Sequence, residues 1–259
     1  MANALTSRAE RFEKGKSLRD HAPREAHADL SGPLHRDAVA ILAESDANRV
    51  PELLPERYKR MTESPFAFLR GAAAVMASDL AHQPTAGVSV QGCGDCHLMN
   101  FGAFNTPEDN ILFDINDFDE TLPGVDFTVD LKRLVASVAV AAKAASLSNK
   151  RARSLAADTV RAYREHIFAL MELSPLEVWH SRIDLEQELK LVKNSDLRRN
   201  LSMLIARARA TGLEKDDNFP HLAMGVEPKI ADKPPTIFHF DPKADPRHKI
   251  DARGVRAIP

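Results

Sequence analysis

A short, loop-rich segment of the chain carries residues whose types and spacing suit phosphoryl transfer. In the run GDCHLMN (94–100), Asp95 precedes Asn100 by five positions, and Asp114 ends the next apolar run. Enzymes of the protein-kinase type use a carboxylate that accepts the substrate hydroxyl proton, an amide oxygen on Mg²⁺ and a second carboxylate on Mg²⁺. We therefore assign these roles to Asp95, Asn100 and Asp114, in that order.

Two further residues of this region have competing interpretations. Asp117 rivals Asp114 for the metal, and on an extended backbone the two side chains point to opposite sides. An Asx-type turn at Asp117, which would cap the strand, is an equally good explanation. His97 is a candidate catalytic residue that orients Asp95 or polarises the loop, but a histidine in such a loop is often structural.

Arg70 ends the apolar run SPFAFLRG (64–71) just upstream of the acidic region. Its guanidinium could bind a phosphate or a carboxylate in bidentate fashion, so we name it as a candidate cofactor-binding residue. The alternative is an ion pair with one of the nearby acids.

The two cysteines of the chain, Cys93 and Cys96, form with His97 the pattern C-x-x-C-H. This pattern is typical of covalent haem attachment, which would require export, and the N-terminus has no signal-peptide pattern. A structural zinc site needs more ligands than this pair supplies. We therefore expect two small buried thiols beside a strand.

The formal net charge of −2 hides a strong asymmetry along the chain. Between Gly71 and Leu131 there is no lysine or arginine, but there are ten acids. The rest of the chain, with 35 basic and 27 acidic residues, carries +8. Gathered carboxylates repel one another, and a bound divalent cation relieves that repulsion. A solvated acidic surface is the alternative interpretation.

Composition narrows the class of protein. Hydrophobic residues make up 44% and charged residues 28% of the 259 residues, which is typical of a globular protein and excludes disordered or collagen-like chains. The balanced total charge gives no reason to expect nucleic acid or a membrane as a partner and by itself predicts no partner. No signal peptide or spanning segment is recognisable, which indicates a cytoplasmic protein.

Hydrophobic periodicity predicts an α+β fold that is predominantly helical. The predicted helices cover residues 34–48, 64–83, 127–145, 149–172, 175–181 and 195–211. Two short strands are predicted at 87–91 and 110–113, and we expect them to form a small β-hairpin that carries the site.

The same patterns divide the chain into three parts. Residues 1–33 are polar and predict an N-terminal arm, and residues 34–215 form the main domain. Residues 216–259 are proline-rich, which predicts a tail or linker with one strand at Thr236–Phe240.

Five blocks together resemble the bacterial family called domain of unknown function 2252, over a stretch that runs from about Arg11 to the proline-rich tail. The blocks are RYKRM (57–61), SPFAFLRGAA (64–73), GCGDCHLMNFG (92–102), FDINDFDETLPG (113–124) and DLKRLVAS (130–137). The resemblance implies the helical, catalytic lobe of a protein-kinase-like fold, related to aminoglycoside and choline kinases. Carried over from those relatives, Asp95 is the catalytic base, while Asn100 and Asp114 hold Mg²⁺.

The chain departs from those kinases at two points. They have a histidine two residues before the catalytic aspartate, where this chain has Cys93. The first 94 residues also contain no G-x-G-x-x-G loop and no convincing strand-borne lysine to hold nucleotide phosphates. Longer proteins of this kind carry such a segment after the proline-rich region, so we expect a C-terminally truncated member that lacks the nucleotide-anchoring lobe.

Three functions follow from these observations. The first is an ATP- and Mg²⁺-dependent, kinase-like phosphotransferase that acts on a small molecule and is incomplete in this chain. The second is a non-catalytic, truncated or degenerate member that keeps a cation site. The third is a metal-dependent phosphoesterase built from Asp95, His97, Asp114 and Asp117.

Overall fold

The structure is a computed structural model that describes residues 7–29, 36–47, 49–210, 222–223 and 229–230. Over these residues it is mostly helical with small sheets, which confirms the predicted α+β class. The predicted strand at Thr236–Phe240 lies outside the described residues, as does the tail 216–259 apart from two short strands. No helix in the described part is long and apolar enough to cross a membrane.

The helices and strands of the described part have the following bounds. The helices are α1 (Arg8–Ser17), α2 (Ala38–Asp46), α3 (Leu54–Met61), α4 (Pro65–Gly71), α5 (Ala73–Leu80), α6 (Thr128–Ala144), α7 (Asn149–Met171), α8 (Pro175–Trp179), α9 (Leu185–Leu191) and α10 (Ser195–Ala210). The strands are β1 (Ser89–Gly92), β2 (Phe101–Asn105), β3 (Ile111–Ile115), β4 (Leu122–Asp126), β5 (Ile183–Asp184), β6 (Leu222–Ala223) and β7 (Lys229–Ile230).

The strands form three small sheets rather than one site-bearing hairpin. β1 pairs antiparallel with β4, β6 pairs with β7, and the third sheet has the order β2-β3-β5. The two predicted strands, β1 and β3, therefore lie in different sheets, and the expected hairpin is wrong. The sequence did not predict β4, which contains Pro123 and Gly124; proline and glycine are depleted in strands, but an edge strand accommodates proline.

The described chain divides into two compact units. One contains residues 1–102 and 113–183, and the other contains residues 103–112 and 184–259. Every candidate site residue belongs to the first unit, so the site is described within that unit alone.

The helix predicted over 64–83 begins as expected but is broken into two. Ser64 caps α4 by accepting a hydrogen bond from the backbone N–H of Ala67, and Pro65 occupies its first turn. The helix is interrupted at Ala72, whose φ of −113° and ψ of 37° are not helical. A Cβ on Gly71 would overlap the side chain of Met61, so tight packing between α4 and α3 accompanies the break.

The predicted central helix is present as α6, which packs against α7. Phe127 and Tyr163 stack across this pair with ring centroids 6.2 Å apart. Two of the three buried residues of α6 are polar, namely Arg133 and Ser137. Buried polar groups need partners, so this helix must supply hydrogen bonds to a neighbouring segment.

Candidate functional site

Helix α6 holds the loop between β1 and β2 through a stripe of polar side chains. We call residues 93–100 the site loop. The Asp130 carboxylate accepts hydrogen bonds from the backbone N–H groups of Cys93, at 2.7 Å, and Gly94, at 3.0 Å. One helical turn after Asp130, the Arg133 side chain contacts Asp95. One turn further, Ser137 Oγ accepts a hydrogen bond from the N–H of Leu98 at 3.1 Å. These contacts fix the loop backbone, because charge-assisted hydrogen bonds are among the strong ones.

Asp95 lies at the centre of a buried ion pair. Arg133 is only 2% exposed, and its Nε donates to Asp95 Oδ1 at 2.5 Å. The Nη2 atom of Arg133 also contacts Asp95 Oδ1 and donates to the carbonyl oxygen of Leu69 at 2.9 Å. The pair therefore links the site loop to both α6 and α4.

The environment of Asp95 keeps its carboxylate ionised. Burial raises the pKa of Asp95, but the hydrogen bond from His97 and the charge and hydrogen bond of Arg133 outweigh burial, so the pKa lies below its usual value. The side chain is 15% exposed, so one edge of the carboxylate remains reachable. Asp95 is thus an anionic, weakly basic acceptor for a proton or hydroxyl group.

His97 has the geometry of a residue that orients Asp95. Its Nδ1 accepts a hydrogen bond from the backbone N–H of Met99 at 3.1 Å, which leaves the proton of the neutral ring on Nε2. That Nε2 lies 3.5 Å from Asp95 Oδ2. The ring is buried and meets Phe66 edge to face. Both ring nitrogens thus face groups within the protein.

Asn100 ties the site loop to the segment that follows β3. Its Nδ2 donates to the carbonyl oxygens of Asp95 and Asp117, both at 3.1 Å, and its Oδ1 accepts from the Asp117 N–H at 2.9 Å. The backbone adds a bond from the Asn116 N–H to the Asn100 carbonyl, also at 2.9 Å. Asn100 is 4% exposed, and its amide oxygen keeps one lone pair beyond the bond to Asp117.

The structure separates the two rival acids. Both acids are exposed, and Asp114 Oδ1 accepts from the adjacent N–H of Ile115 at 2.8 Å. Asp117 contacts Asn100, and its Oδ1 accepts from the Asp119 N–H at 3.0 Å, which is the Asx turn of the alternative interpretation. The hydrogen bonds of Asn100 therefore connect the backbone of Asp117, rather than that of Asp114, to the site loop.

The acids around Asp117 form an electrostatic cluster. Burial raises the pKa of Glu120, and the charges of Asp95, Asp117 and Asp119 raise it further. In the described part of the chain, no three histidine, cysteine or acidic side chains are close enough to hold a metal by themselves. Mg²⁺ commonly binds through one or two protein oxygens together with substrate phosphates and water, so Asn100 and Asp117 fit such a site when a phosphate ligand is present.

The two cysteines are buried in this cluster. The Cys93 thiol lies 3.7 Å from the Asp117 carbonyl oxygen and accepts from Asn100 Nδ2 at 3.6 Å. Burial raises the pKa of Cys93, and burial with the nearby Asp130 raises the pKa of Cys96 to about 12. Both thiols are buried, as the sequence predicted, and both are free.

We expect neither cysteine to react with iodoacetamide in the folded protein at pH 8, because the thiolate is the nucleophile and burial suppresses it. Both should be carbamidomethylated when the same reaction is run in guanidinium chloride. Intact-mass spectrometry over time counts the modified thiols. Rapid modification of the native chain would show that the loop opens readily.

Sequence reasoning missed Asp130, Arg133 and Ser137 as site residues. Asp130 is one of the ten acids between Gly71 and Leu131, and Arg133 lies just beyond them in the block DLKRLVAS. Their spacing of three and four residues places them on one face of a helix that was already expected to be buried. Polar residues on the buried face of a helix were the available signal.

Residues 49–254 match the family model described as "Uncharacterized protein conserved in bacteria (DUF2252)". The chain belongs to the DUF2252 family. The resemblance drawn from the five sequence blocks is thereby confirmed at the level of the family. No curated protein and no solved structure matches the chain. Because the description of DUF2252 states no activity, function must be argued from the site of this DUF2252 protein.

Proposed function

We propose that this DUF2252 protein is a kinase-like phosphotransferase that uses ATP and Mg²⁺ and acts on a small molecule. The observation that carries the proposal is the Asn100 side chain, which bonds to the backbone of both Asp95 and Asp117. This bridge ties together the backbones of the two acids, which supports the roles that we propose for them, a proton acceptor and a ligand of Mg²⁺.

Asp95 is the proposed base. In the reaction, the acceptor hydroxyl oxygen bonds to the γ-phosphorus of ATP, the bond from that phosphorus to the bridging oxygen breaks, and ADP leaves. The hydroxyl proton passes to Asp95. Because phosphoryl transfer through a loose transition state depends mainly on the positioning of the reactants, a weakly basic carboxylate that Arg133 and His97 hold in place can serve as the base.

Asn100 and Asp117 are the proposed metal ligands. The free lone pair of Asn100 Oδ1 and the Asp117 carboxylate oxygen that is not in the Asx turn would hold Mg²⁺, which would neutralise phosphate charge. Asp114 then has a secondary role at most. Asp130 acts as a positioning residue, because it fixes the backbone that carries Asp95.

The proposal includes a separate nucleotide-anchoring segment. Residues 1–94 contain no Gly-rich phosphate loop, and a kinase needs one together with a lysine. We therefore propose that the described site is the catalytic lobe of a kinase-like fold and that a segment outside residues 1–94 anchors the nucleotide phosphates.

A titration with Mg²⁺ and ATP tests the proposal. We expect calorimetry to show Mg²⁺-dependent ATP binding that Asp117→Asn weakens by about tenfold or more, since a charged ligand is lost. Asp114→Asn and the exposed control Asp158→Asn should stay within about threefold of wild type. The titration is run on this chain and on a longer relative that carries the Gly-rich, lysine-containing segment.

Two results would contradict the proposal. One is the absence of Mg²⁺-dependent ATP binding in both chains, and the other is binding that depends on Asp114 but not on Asp117.

A non-catalytic, cation-binding protein is the second candidate function. It is favoured by the commitment of Asp95 to Arg133 and of Asn100 to backbone groups. Phosphotransfer by this chain alone would refute that candidate.

A further inference from the structure

A cavity lies beside the site loop, within the first unit. Its volume is about 490 Å³, which falls in the range of small-ligand pockets. Ala73, Ala74 and Ala77 of α5 form part of one wall, and Val129 of α6 and Gly94 of the site loop also line the cavity. The small side chains of α5 leave room for an apolar group.

Three arginines line the same cavity, namely Arg49, Arg57 and Arg70. Arg49 and Arg57 share one carboxylate, because Asp46 Oδ1 lies 3.7 Å from Arg49 Nε and 3.8 Å from Arg57 Nε. These distances are too long for hydrogen bonds. Both Asp46 Oδ1 and Arg57 Nε are buried atoms that lack a hydrogen-bond partner. The guanidinium of Arg57 thus keeps one buried N–H without a hydrogen-bond partner in the described structure.

Arg57 and Arg70 both lie near the junction of α4 and α5. Arg57 Nη2 donates to the Gly71 carbonyl oxygen at 2.5 Å, which holds its guanidinium at the junction. Arg70 directly precedes Gly71 and is exposed, and it pairs with no carboxylate in the described part of the chain. A planar guanidinium binds carboxylate and phosphate groups in bidentate fashion.

Two acids, Asp126 and Glu120, also line the cavity. Asp126 accepts hydrogen bonds from the Gly87 N–H and from the N–H and hydroxyl of Thr128. Glu120 lies within the acidic cluster of the site loop. Within the described structure, neither acid forms an ion pair with an arginine of the cavity. Arg70, which pairs with no carboxylate in the described part of the chain, therefore remains available to an anionic ligand, while Arg49 and Arg57 also face Asp46.

We infer that this cavity binds a small organic anion, with its carboxylate or phosphate group on Arg70 and Arg57 and its apolar body against the alanines of α5. The inference rests on the proposed function only in naming this anion as the acceptor substrate. It assigns Arg70 to the acceptor rather than to the nucleotide.

Calorimetry in the absence of Mg²⁺ and ATP tests the inference. The three probes are phenyl phosphate, benzoate and inorganic phosphate. We expect phenyl phosphate or benzoate to bind saturably to one site, and the better probe identifies the head group. Arg70→Gln should weaken that binding by about tenfold or more, because a charge-assisted hydrogen bond is lost. The control Arg60→Gln, in an exposed arginine that pairs with Glu56 on α3, should change it by less than about threefold.

A second variant distinguishes the apolar wall of the cavity, formed by the alanines of α5, from its arginines. Ala77 is exposed, so Ala77→Leu can be accommodated, and it should weaken the organic probe while leaving any affinity for inorganic phosphate unchanged. Failure of both organic probes to saturate, a response to inorganic phosphate alone, or equal binding by Arg70→Gln and wild type would overturn the inference. Because no ATP is present, these outcomes are independent of the Asp117 experiment.

Discussion

Arg133→Met is expected to lower the free energy of unfolding by about 3–5 kcal/mol, the typical cost of breaking a buried ion pair from one side. The variant leaves the Asp95 carboxylate buried without its cation, and it also removes the bond to the Leu69 carbonyl. Urea denaturation monitored by circular dichroism measures the change. Lys132→Met is the matched control, because that lysine is partly exposed and bonds only to Gln83 in the described structure, and it should cost about 1 kcal/mol or less.

The loss in Arg133→Met should depend on pH. In the wild type the folded pKa of Asp95 is depressed, so its contribution is present above the unfolded pKa, about 3.9, and is lost as pH falls through the folded value. Without Arg133, only the hydrogen bond and charge of His97 oppose burial, so the folded pKa of Asp95 is depressed less than in the wild type. The difference between variant and wild type should therefore shrink as the pH falls below about 4, where the wild type loses the contribution of Asp95. A difference independent of pH would show that packing, not charge, stabilises this pair.

Gly94→Ala is expected to destabilise the chain by about 3 kcal/mol or more and to abolish ligand binding at the site loop. Gly94 has a φ of +82°, which disfavours any side chain, and an added Cβ would overlap the Glu120 carbonyl oxygen. The loop would have to move away from Asp130, which accepts from the Gly94 N–H at 3.0 Å. Denaturation and the Mg²⁺–ATP titration together measure both effects.

Gly124→Ala is the matched control for this change. Gly124 has a nearly equal φ of +77°, but nothing lies within 4 Å of an added Cβ. Its replacement should cost about 1–2 kcal/mol, which is the conformational penalty alone. The excess cost of Gly94→Ala over Gly124→Ala then measures the close approach of the loop to Glu120. Equal costs would contradict that close packing.

Local patterns predicted most of the helical segments of the first unit. Ser64 and Pro65 marked the start of α4, and the apolar periodicity after Asp126 located α6. These features depend on residues near one another in sequence, so their physics is visible in a short window. β4 and the break at Ala72 depend on contacts with distant residues, and the sequence did not reveal them.

The candidate site shows the same division. The spacing of Asp95 and Asn100 marked the site loop, but the sequence could not choose between Asp114 and Asp117. The hydrogen bonds of Asn100 connect Asp117 to the loop, across 17 positions of sequence. Such a bond depends on how β3 and the loop meet in space, which periodicity does not encode.

By itself, the sequence determined the family, the predominantly helical class and the residues that form the site loop. Only the tertiary structure decided the partners: Arg133 for Asp95, Asp130 for the loop backbone, and Asn100 for Asp117. Buried charges and backbone groups must be satisfied, and the groups that satisfy them lie 17 to 38 positions away in the chain. Long-range pairing of this kind is set by packing, so it becomes readable only once the fold is known.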